Sequence, residues 1–374
     1  MVSRNKMSLK GIAPKLGPYI RYVLLFLGMA SLLAAMWGGL GRLGLKMPLP
    51  ELQLAIYHGP LMVSGFLGTL IGLERAVGMG HKWAYIAPAS TGLGALMLIA
   101  GLPAAWGALF MSLGSLVLLI IFIAIIRLQT SLFTVTMGTG ALLWLAGNCL
   151  WLTGSPVWTT VFWWTGFLLL MIAGERLELT RIIRFTKTVK AAFAGAIGIY
   201  TLGLFISIFR PDAGVRILGL GMMAVTLWLI RYDIAWRILR TDGLPRFMAA
   251  CLISGYVWLG IAGAIAVSTV IPPAGPIYDA ILHTFFLGFV FSMIFAHAPV
   301  IFSAVLNLPV AYRPRFYVHL VLLQLSLILR IAGDLSGWED GREAGGLLNV
   351  FVILLFLANT GSSVYASYGK TRAI

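Results

Sequence analysis

Charged side chains are scarce in this sequence, at 10% of its 374 residues, whereas soluble domains carry about a quarter. So few charges cannot cover a water-soluble globule of this length, because 60% of the residues are hydrophobic. A disordered chain is excluded as well, since disorder requires low hydrophobicity. The composition therefore predicts a protein that exposes most of its surface to lipid.

Cysteine is almost absent too, because Cys149 and Cys251 are the only two. Two cysteines exclude a disulfide-rich scaffold, and the lack of a CxxC pair leaves no thiol-ligated metal site. The sequence also has no Walker A motif, dinucleotide-binding fingerprint, GxSxG or HExxH. It therefore carries no signature of a nucleotide-binding protein, an α/β-hydrolase or a zinc protease. We predict that both cysteines are packing residues.

Apolar runs of about 20 residues are abundant, and this length crosses a ~30 Å hydrocarbon core as a helix. Charges, prolines and glycine clusters divide the chain into twelve such spans. They cover residues 19–40, 53–73, 83–101, 104–126, 132–153, 157–174, 190–209, 213–230, 247–270, 277–298, 316–336 and 344–366. We therefore predict an all-α, polytopic membrane protein of about twelve transmembrane helices, which forms one integral membrane domain over residues 1–374.

The net charge of +15 is distributed unevenly among the segments that connect these spans. With the N-terminus inside, 21 of the 27 Lys and Arg residues fall on the inner side and 6 on the outer side. This asymmetry follows the positive-inside rule and predicts that both termini are cytoplasmic. The surplus charge is thus explained by topology and by attraction to anionic membrane lipids, and we predict no nucleic-acid partner.

Three segments of the chain resemble one another and end spans two, six and ten. They are residues 65–75 (GFLGTLIGLER), 166–176 (GFLLLMIAGER) and 288–298 (GFVFSMIFAHA). The first two are identical at six of eleven positions, and one register holds Glu74, Glu175 and His297 in turn. We predict three four-helix units in a pseudo-threefold arrangement about an axis normal to the membrane; the alternative is chance similarity among apolar residues. The units cover approximately 19–126, 132–230 and 247–366.

Histidine is also rare, and two of the five histidines lie at matching depth in spans two and ten. His58 and His283 each lie about five residues inside the outer end of a span, where polar groups are costly and mark functional sites by default. Two facing imidazoles in a helical bundle can hold a b-type haem. The alternative is that each ring only hydrogen-bonds a neighbouring helix. Met62, one turn after His58, is a further candidate ligand.

Span two carries a row of glycines at Gly65, Gly68 and Gly72. One side of this helix therefore has almost no side chains, so a neighbouring helix or a flat ligand can approach its backbone. If His58 and His283 bind haem, this glycine row would give room for the macrocycle.

Arg330 lies fourteen residues into span eleven, which is about 21 Å from the inner end at 1.5 Å per residue. This position brings its guanidinium towards the depth of His58 and His283. Asp334 follows one turn later and can pair with it. Two interpretations stay open, namely an anchor for a haem propionate and a buried ion pair with Asp334.

The aligned position of the three similar segments, which holds Glu74, Glu175 and His297, lies at the inner boundary of the membrane. These side chains could admit protons or hold a second metal ion, or they could only form ion pairs with neighbouring arginines. His81 and His319 lie at the same boundary, and we predict that both are solvated.

Several motifs resemble those of the NnrS family of twelve-span bacterial membrane proteins. They are HGPLMVSGF from His58, HTFFLGFVFSMI from His283 with HAPVI from His297, and Leu329-Arg330 with Asp334. NnrS proteins are described as containing haem and copper and are linked to nitric oxide and nitrosative stress. The resemblance implies the bacterial inner membrane, haem as a partner and copper as a second cofactor.

The predicted architecture also resembles subunit one of the haem–copper oxidases, in which histidines of the second and tenth helices hold a low-spin haem. His58 and His283 match these in helix number and depth. However, the oxidases bind copper through histidines of helices six and seven, and spans six and seven contain none. An oxygen-reducing centre is therefore not predicted, and copper has no evident site.

Two functional hypotheses follow. The first is a haem-binding membrane protein of the nitric oxide response type, with an enzymatic activity left open. The residues assigned to it are His58 and His283 as axial ligands, Arg330 as propionate anchor, His297 as a further metal candidate, and Glu74, Glu175 and Asp334 as polar neighbours. The second is a permease or a metal or cofactor assembly factor with a path of buried Glu and His. A structural subunit without ligand is the third alternative.

Overall fold

The computed structural model describes residues 18–46, 48, 51–270, 274–306 and 310–372, which contain helices and turns but no strand. The all-α prediction is confirmed for these residues. The long helices are α1 (Pro18–Arg42), α2 (His58–Met79), α3 (Ile86–Ile99), α4 (Ala104–Leu128), α5 (Leu132–Leu152), α6 (Val157–Leu179), α7 (Lys187–Phe209), α8 (Pro211–Tyr232), α9 (Leu244–Ser268), α10 (276–306), α11 (Phe316–Ser336) and α12 (Glu339–Arg372). Two short helices, Glu51–Ile56 and Ala235–Ile238, lie in the connections before α2 and α9.

Eleven of these helices in the described ranges are long and apolar enough to cross a membrane. The exception is α3, whose 14 residues span about 21 Å at 1.5 Å per residue, less than the ~30 Å of a hydrocarbon core. Glycines in the left-handed conformation bound this region, with φ of 72° at Gly80 and 85° at Gly101. A multi-pass membrane protein is thus confirmed, while the predicted span 83–101 is helical but shorter than the other eleven.

Three helices form the centre of the bundle. In the apolar stretch that qualifies each helix as a candidate span, 61%, 78% and 67% of the residues of α2, α6 and α10 are buried, against at most 56% in the other candidate spans. Phe66 of α2 stacks on Phe291 of α10, and Phe162 of α6 meets Tyr278 of α10 edge to face. The remaining helices pack around these three and present apolar side chains outward.

The glycine row of α2 contacts neighbouring helices, which corrects the prediction that it gives room for a macrocycle. A Cβ at Gly65 would overlap Ser31 of α1, and one at Gly72 would lie 3.2 Å from the backbone of Pro88. At Gly68 the Cβ would overlap the Trp144 ring of α5. The row therefore permits close helix packing, as small residues do in membrane bundles.

Substitution of Gly68 by alanine is expected to destabilise the protein by about 1–3 kcal/mol, because the added methyl group would overlap the rigid Trp144 ring. Gly78 lies in the same helix with no heavy atom within 4 Å of a Cβ. Gly78→Ala is therefore the matched control and should be neutral or slightly stabilising. Unfolding in SDS followed by circular dichroism measures both, and equal midpoints for the two variants would contradict the packing assignment.

A buried hydrogen-bond network connects α2 to α4 and α5. Asn148 of α5 accepts a hydrogen bond from Ser64 Oγ at 2.9 Å and donates to Ser115 Oγ at 3.1 Å. Trp144 Nε1 donates to the same Ser64 hydroxyl at 3.0 Å. Because lipid supplies no hydrogen-bond partners, such internal pairing is how a bundle accommodates polar side chains.

A buried ion pair fixes the end of α6 to the segment after α8. Arg176 Nε and Nη2 each lie 2.8 Å from the Asp233 carboxylate, and the two side chains are 4% and 0% exposed. Asp233 Oδ1 also accepts a hydrogen bond from the Ala235 backbone N–H at 2.7 Å. The pair is therefore bidentate and well satisfied, which is the condition for a buried ion pair to be tolerated.

Two minor predictions have different outcomes. Both cysteines are free. Cys251 is buried, as predicted for a packing residue, whereas Cys149 is exposed, so the predicted packing role is wrong for Cys149. His81 is exposed, as predicted. His319 is only 1% exposed, so its predicted solvation is wrong. The rings of Phe295 and Phe356 pack around it at centroid distances of 4.8 and 5.4 Å, an enclosure formed by helices distant in sequence.

Candidate functional site

A cavity of about 430 Å³ lies between the central helices and α1, α11 and α12. His58, His283 and Arg330 all line it, so residues singled out on three different helices share one space. We call it the histidine cavity. Its volume falls in the range of small-molecule and cofactor sites, roughly 300–1,000 Å³. Most of its wall is apolar, and Val63 and the candidate ligand Met62 are both part of that wall.

The two imidazoles are oriented in the same way. His58 Nδ1 lies 2.7 Å from the Ala35 carbonyl oxygen, and His283 Nδ1 lies 2.7 Å from that of Asp279. A carbonyl can only accept, so Nδ1 donates and the neutral ring carries its lone pair on Nε2. Within the described ranges no hydrogen bond engages either Nε2. This orientation by a backbone carbonyl is the usual one for histidines that bind a metal ion.

Both histidines are followed by a π-helical segment. Residues Leu61–Leu67 of α2 and Thr284–Phe291 of α10 adopt this rare conformation, which occurs frequently at functional sites. Ser31 Oγ of α1 donates a hydrogen bond of 2.9 Å to the Leu61 carbonyl oxygen of α2 and so satisfies one backbone group of the first segment. Nothing in the sequence pattern predicts either π-helical segment.

Gly39 of α1 allows the His58 ring to lie against the helix backbone. A Cβ at this position would be 3.0 Å from His58 Cε1, closer than ordinary van der Waals contact. The same stretch of α1 supplies the Ala35 carbonyl that accepts from Nδ1. Helix α1 therefore fixes both the position and the tautomer of His58.

An ionic cluster lies at one end of the histidine cavity. The predicted pair is confirmed, because Arg330 Nε lies 3.4 Å from Asp334 Oδ2. Arg342 joins the cluster, with contacts of 3.2 Å to Asp334 and 3.3 Å to Asp279. Arg42 also lines the cavity, and none of the ion pairs in the described part of the chain includes it. Three cations against two carboxylates leave a positive surplus that favours an anionic ligand.

Two adjacent glycines of α12 make room for Arg330. A Cβ at Gly345 would lie 2.5 Å from the Arg330 backbone nitrogen, and one at Gly346 would lie 2.7 Å from Nη1. Helices α11 and α12 can therefore pack closely while the guanidinium stays at the cavity wall. In the sequence, two adjacent glycines within an apolar span indicate that another helix can approach closely at this position.

A second, smaller cavity of about 110 Å³ contains the other predicted cluster. Glu74, Glu175 and His297 all line it, and we call it the glutamate cavity. Arg75 forms an ion pair with Glu175 and lies 3.9 Å from Glu74. His297 Nδ1 lies 2.8 Å from the Met293 carbonyl oxygen, while its Nε2 is buried without a hydrogen-bond partner.

No group of three or more His, Cys, Asp and Glu side chains in the described ranges is arranged to hold a metal ion. Glu74, Glu175 and His297 share a cavity but do not form such a group, so a second metal site at His297 has no ligand set there. The copper prediction likewise has no candidate ligands among these residues and stays a prediction.

Sequence reasoning missed Asp279, Arg42 and Arg342 at the histidine cavity. Asp279 stands four residues before His283, which is the spacing of its carbonyl contact with the imidazole. The two arginines lie near the ends of α1 and α12 and resemble ordinary boundary charges in the sequence. Only the packing of these helix ends brings Arg42 to the cavity wall and Arg342 into contact with Asp279 and Asp334.

Comparison with known proteins gives a family but no description of activity. No curated protein and no solved structure matches the chain. A family described as a domain of unknown function (DUF8744) matches residues 21–364. Because this match covers most of the 374 residues, the chain belongs to the DUF8744 family.

Proposed function

We propose that this protein is a haem-binding integral membrane protein that acts in the response to nitric oxide and nitrosative stress. The observation that carries the haem assignment is the histidine cavity, where His58 and His283 each direct a hydrogen bond from Nδ1 to a backbone carbonyl and keep Nε2 unengaged. Both nitrogens are suited to the axial positions of a haem b.

The residues around the cavity fit an amphipathic macrocycle with two carboxylates. Its apolar walls suit the ring, and Arg330 and Arg42 supply positive charge at the polar end. When bound, haem would supply an iron centre that accepts and donates single electrons. His58 and His283 together would hold the iron, and a haem held by two histidines would supply electron transfer rather than binding of a gas.

The link to nitrosative stress rests on the resemblance to the NnrS family. The motifs that carry it begin at His58, His283 and His297, and the first two are the histidines of the cavity. The same resemblance and the 21-to-6 split of basic residues support a place in the bacterial inner membrane with both termini cytoplasmic.

The pseudo-threefold arrangement of three four-helix units is also part of the proposal. Helices α2, α6 and α10 hold the three similar segments, and they are the three most buried spans. Equivalent helices at the centre are what a threefold axis through the bundle requires. In this arrangement two of the three central helices carry a histidine and a π segment, while α6 has neither.

The reduced-minus-oxidised absorption spectrum of the purified protein tests the haem assignment. We expect the sharp bands of a six-coordinate haem b and about one haem per chain by pyridine haemochrome assay. A preparation from haem-replete cells that is folded but shows no haem band would overturn the assignment.

Substitution of Arg330 by glutamine is expected to weaken haem retention by at least about tenfold while the band positions stay unchanged. Loss of one charge-assisted hydrogen bond to a carboxylate corresponds to about 1.5–3 kcal/mol, and the axial ligands are untouched. Transfer of haem to excess apomyoglobin measures the retention. If Arg330 served only its ion pair with Asp334, the transfer rate would match that of the wild type.

A further inference from the structure

The histidine cavity and the glutamate cavity lie one after the other along the centre of the bundle. Both are lined by residues of α1, α2, α6, α10 and α12, and Leu67 belongs to the wall of both. Phe291 lines the first and Phe66 the second, and their rings stack at a centroid distance of 6.3 Å. These three buried side chains form a thin apolar separator between the two spaces.

On one side of this separator, the glutamate cavity contains the Glu and His side chains that a proton path requires. Glu74 is 32% exposed and can exchange protons with the surroundings of the bundle end. His297 Nε2 is buried and unpartnered, which is costly unless a water molecule or a proton carrier meets it. A cavity of about 110 Å³ has room for several waters, since one needs only ~10–15 Å³, and Glu74, Glu175 and His297 in its wall supply polar atoms that could bind them.

The charges around the glutamate cavity leave Glu74 as the available carboxylate. Glu175 is paired with Arg75, and Arg176 is paired with Asp233. Glu74 has only the longer contact of 3.9 Å with Arg75. The ionisable groups that face this region are Arg21 of α1, Glu74 and Arg75 of α2, Glu175 and Arg176 of α6, Asp233 after α8, and His297 and His319 of α10 and α11.

We propose that the two cavities are halves of one proton path, which the separator keeps closed in the conformation described. A proton enters at Glu74 and passes through water to His297 Nε2. It reaches the histidine cavity when Phe66, Leu67 and Phe291 part. Intramembrane Glu and His residues that face a water-filled space are the usual constituents of such relays. The path is independent of the haem assignment, because its groups belong to the chain alone.

The π segments give the separator a means of moving. Phe66 and Leu67 end the first segment, and Phe291 ends the second. A π turn holds more residues than an α turn, so its conversion to α-helix shifts the side chains at its end relative to the rest of the helix. All three separator residues therefore stand where a small backbone change displaces them.

Proton flux into liposomes tests the path. The protein is reconstituted with a trapped pH-sensitive dye, and a potassium gradient with valinomycin drives protons inward. We expect Leu67→Ala to raise the flux at least about tenfold over the wild type, equivalent to ~1.4 kcal/mol of barrier, because the lost carbon atoms admit water. Adding Glu74→Gln or His297→Ala to Leu67→Ala should return the flux to the wild-type level.

Leu118→Ala is the matched control, since Leu118 is fully buried in α4 and lines neither cavity. If Leu67→Ala yields no folded protein, Phe291→Leu opens the same separator. The proposal is overturned if the separator variant conducts no better than Leu118→Ala, or if its flux persists in both double variants. Because dye and gradient report on protons alone, a protein without haem can still pass this test, and a protein with haem can fail it.

Discussion

Replacing His58 or His283 with alanine is expected to reduce bound haem to less than about a tenth of the wild-type amount, since even residues that only orient a metal ligand contribute 10–100-fold. Each substitution would remove one of the two nitrogens that we propose hold the iron; both line the histidine cavity, and in the described residues neither Nε2 has a hydrogen-bond partner. Any haem that stays bound should change from a six-coordinate to a five-coordinate spectrum. Absorption spectra of purified variants, normalised to protein, measure both effects.

Two controls distinguish ligand loss from general damage. His81→Ala removes an exposed histidine and should leave the spectrum unchanged. Met62→Leu removes the other candidate ligand in the cavity wall, and its spectrum should also match the wild type. Haem bands that survive unchanged in both His58→Ala and His283→Ala would contradict the axial assignment, and a loss in Met62→Leu would shift it to the thioether.

Removing the Arg176 side chain is expected to lower the free energy of unfolding by about 3–5 kcal/mol, the usual effect of breaking a buried ion pair. The Asp233 carboxylate, which is 0% exposed, would then lose its counter-ion and retain the backbone hydrogen bond from Ala235. The cost arises from this uncompensated charge rather than from lost attraction. SDS unfolding of Arg176→Ala followed by circular dichroism measures the change.

The matched control is an exposed pair in the same helix region. Arg181 lies 3.8 Å from Glu178 with a side chain that is 64% exposed, so Arg181→Ala should cost at most about 1 kcal/mol. The double variant Arg176→Met with Asp233→Asn removes both charges and keeps the acceptor for Ala235. It should recover at least half of the loss. Equal stability of Arg176→Ala and Arg181→Ala would contradict the role assigned to the buried pair.

Most of the helices could be predicted from the sequence, because span length and charge position are local properties. Helix α3 shows where this reasoning ends. Its apolar run is long enough, but left-handed glycines at Gly80 and Gly101 bound a region that begins with a 3-10 turn, Lys82–Tyr85. A hydropathy profile depends on which residues are present and not on the conformation that they adopt. A short helix next to an apolar turn therefore gives the same profile as a full membrane span.

The candidate site divides in the same way. Depth along a span follows from residue number, so His58, His283 and Arg330 could be assigned to one level. Which helix faces which is set by side-chain packing, so the positions of Arg42 and Arg342 near this site could not be predicted. The glycine row of α2 shows what the sequence does not determine. A helix face without side chains can pack against a ligand or against another helix, and only the structure shows that the Trp144 ring lies there.

The sequence by itself determined that this protein lies in a membrane, which segments are its helices and at what depth its few polar residues stand. These properties follow from the free energy of placing each segment in lipid or water, which depends on composition alone. The tertiary structure alone decided that two histidines share a cavity with Arg330, that a thin apolar separator divides this cavity from the glutamate cavity, and that π segments adjoin both histidines. Such features depend on contacts between helices far apart in the chain, and apolar spans carry little information about their partners.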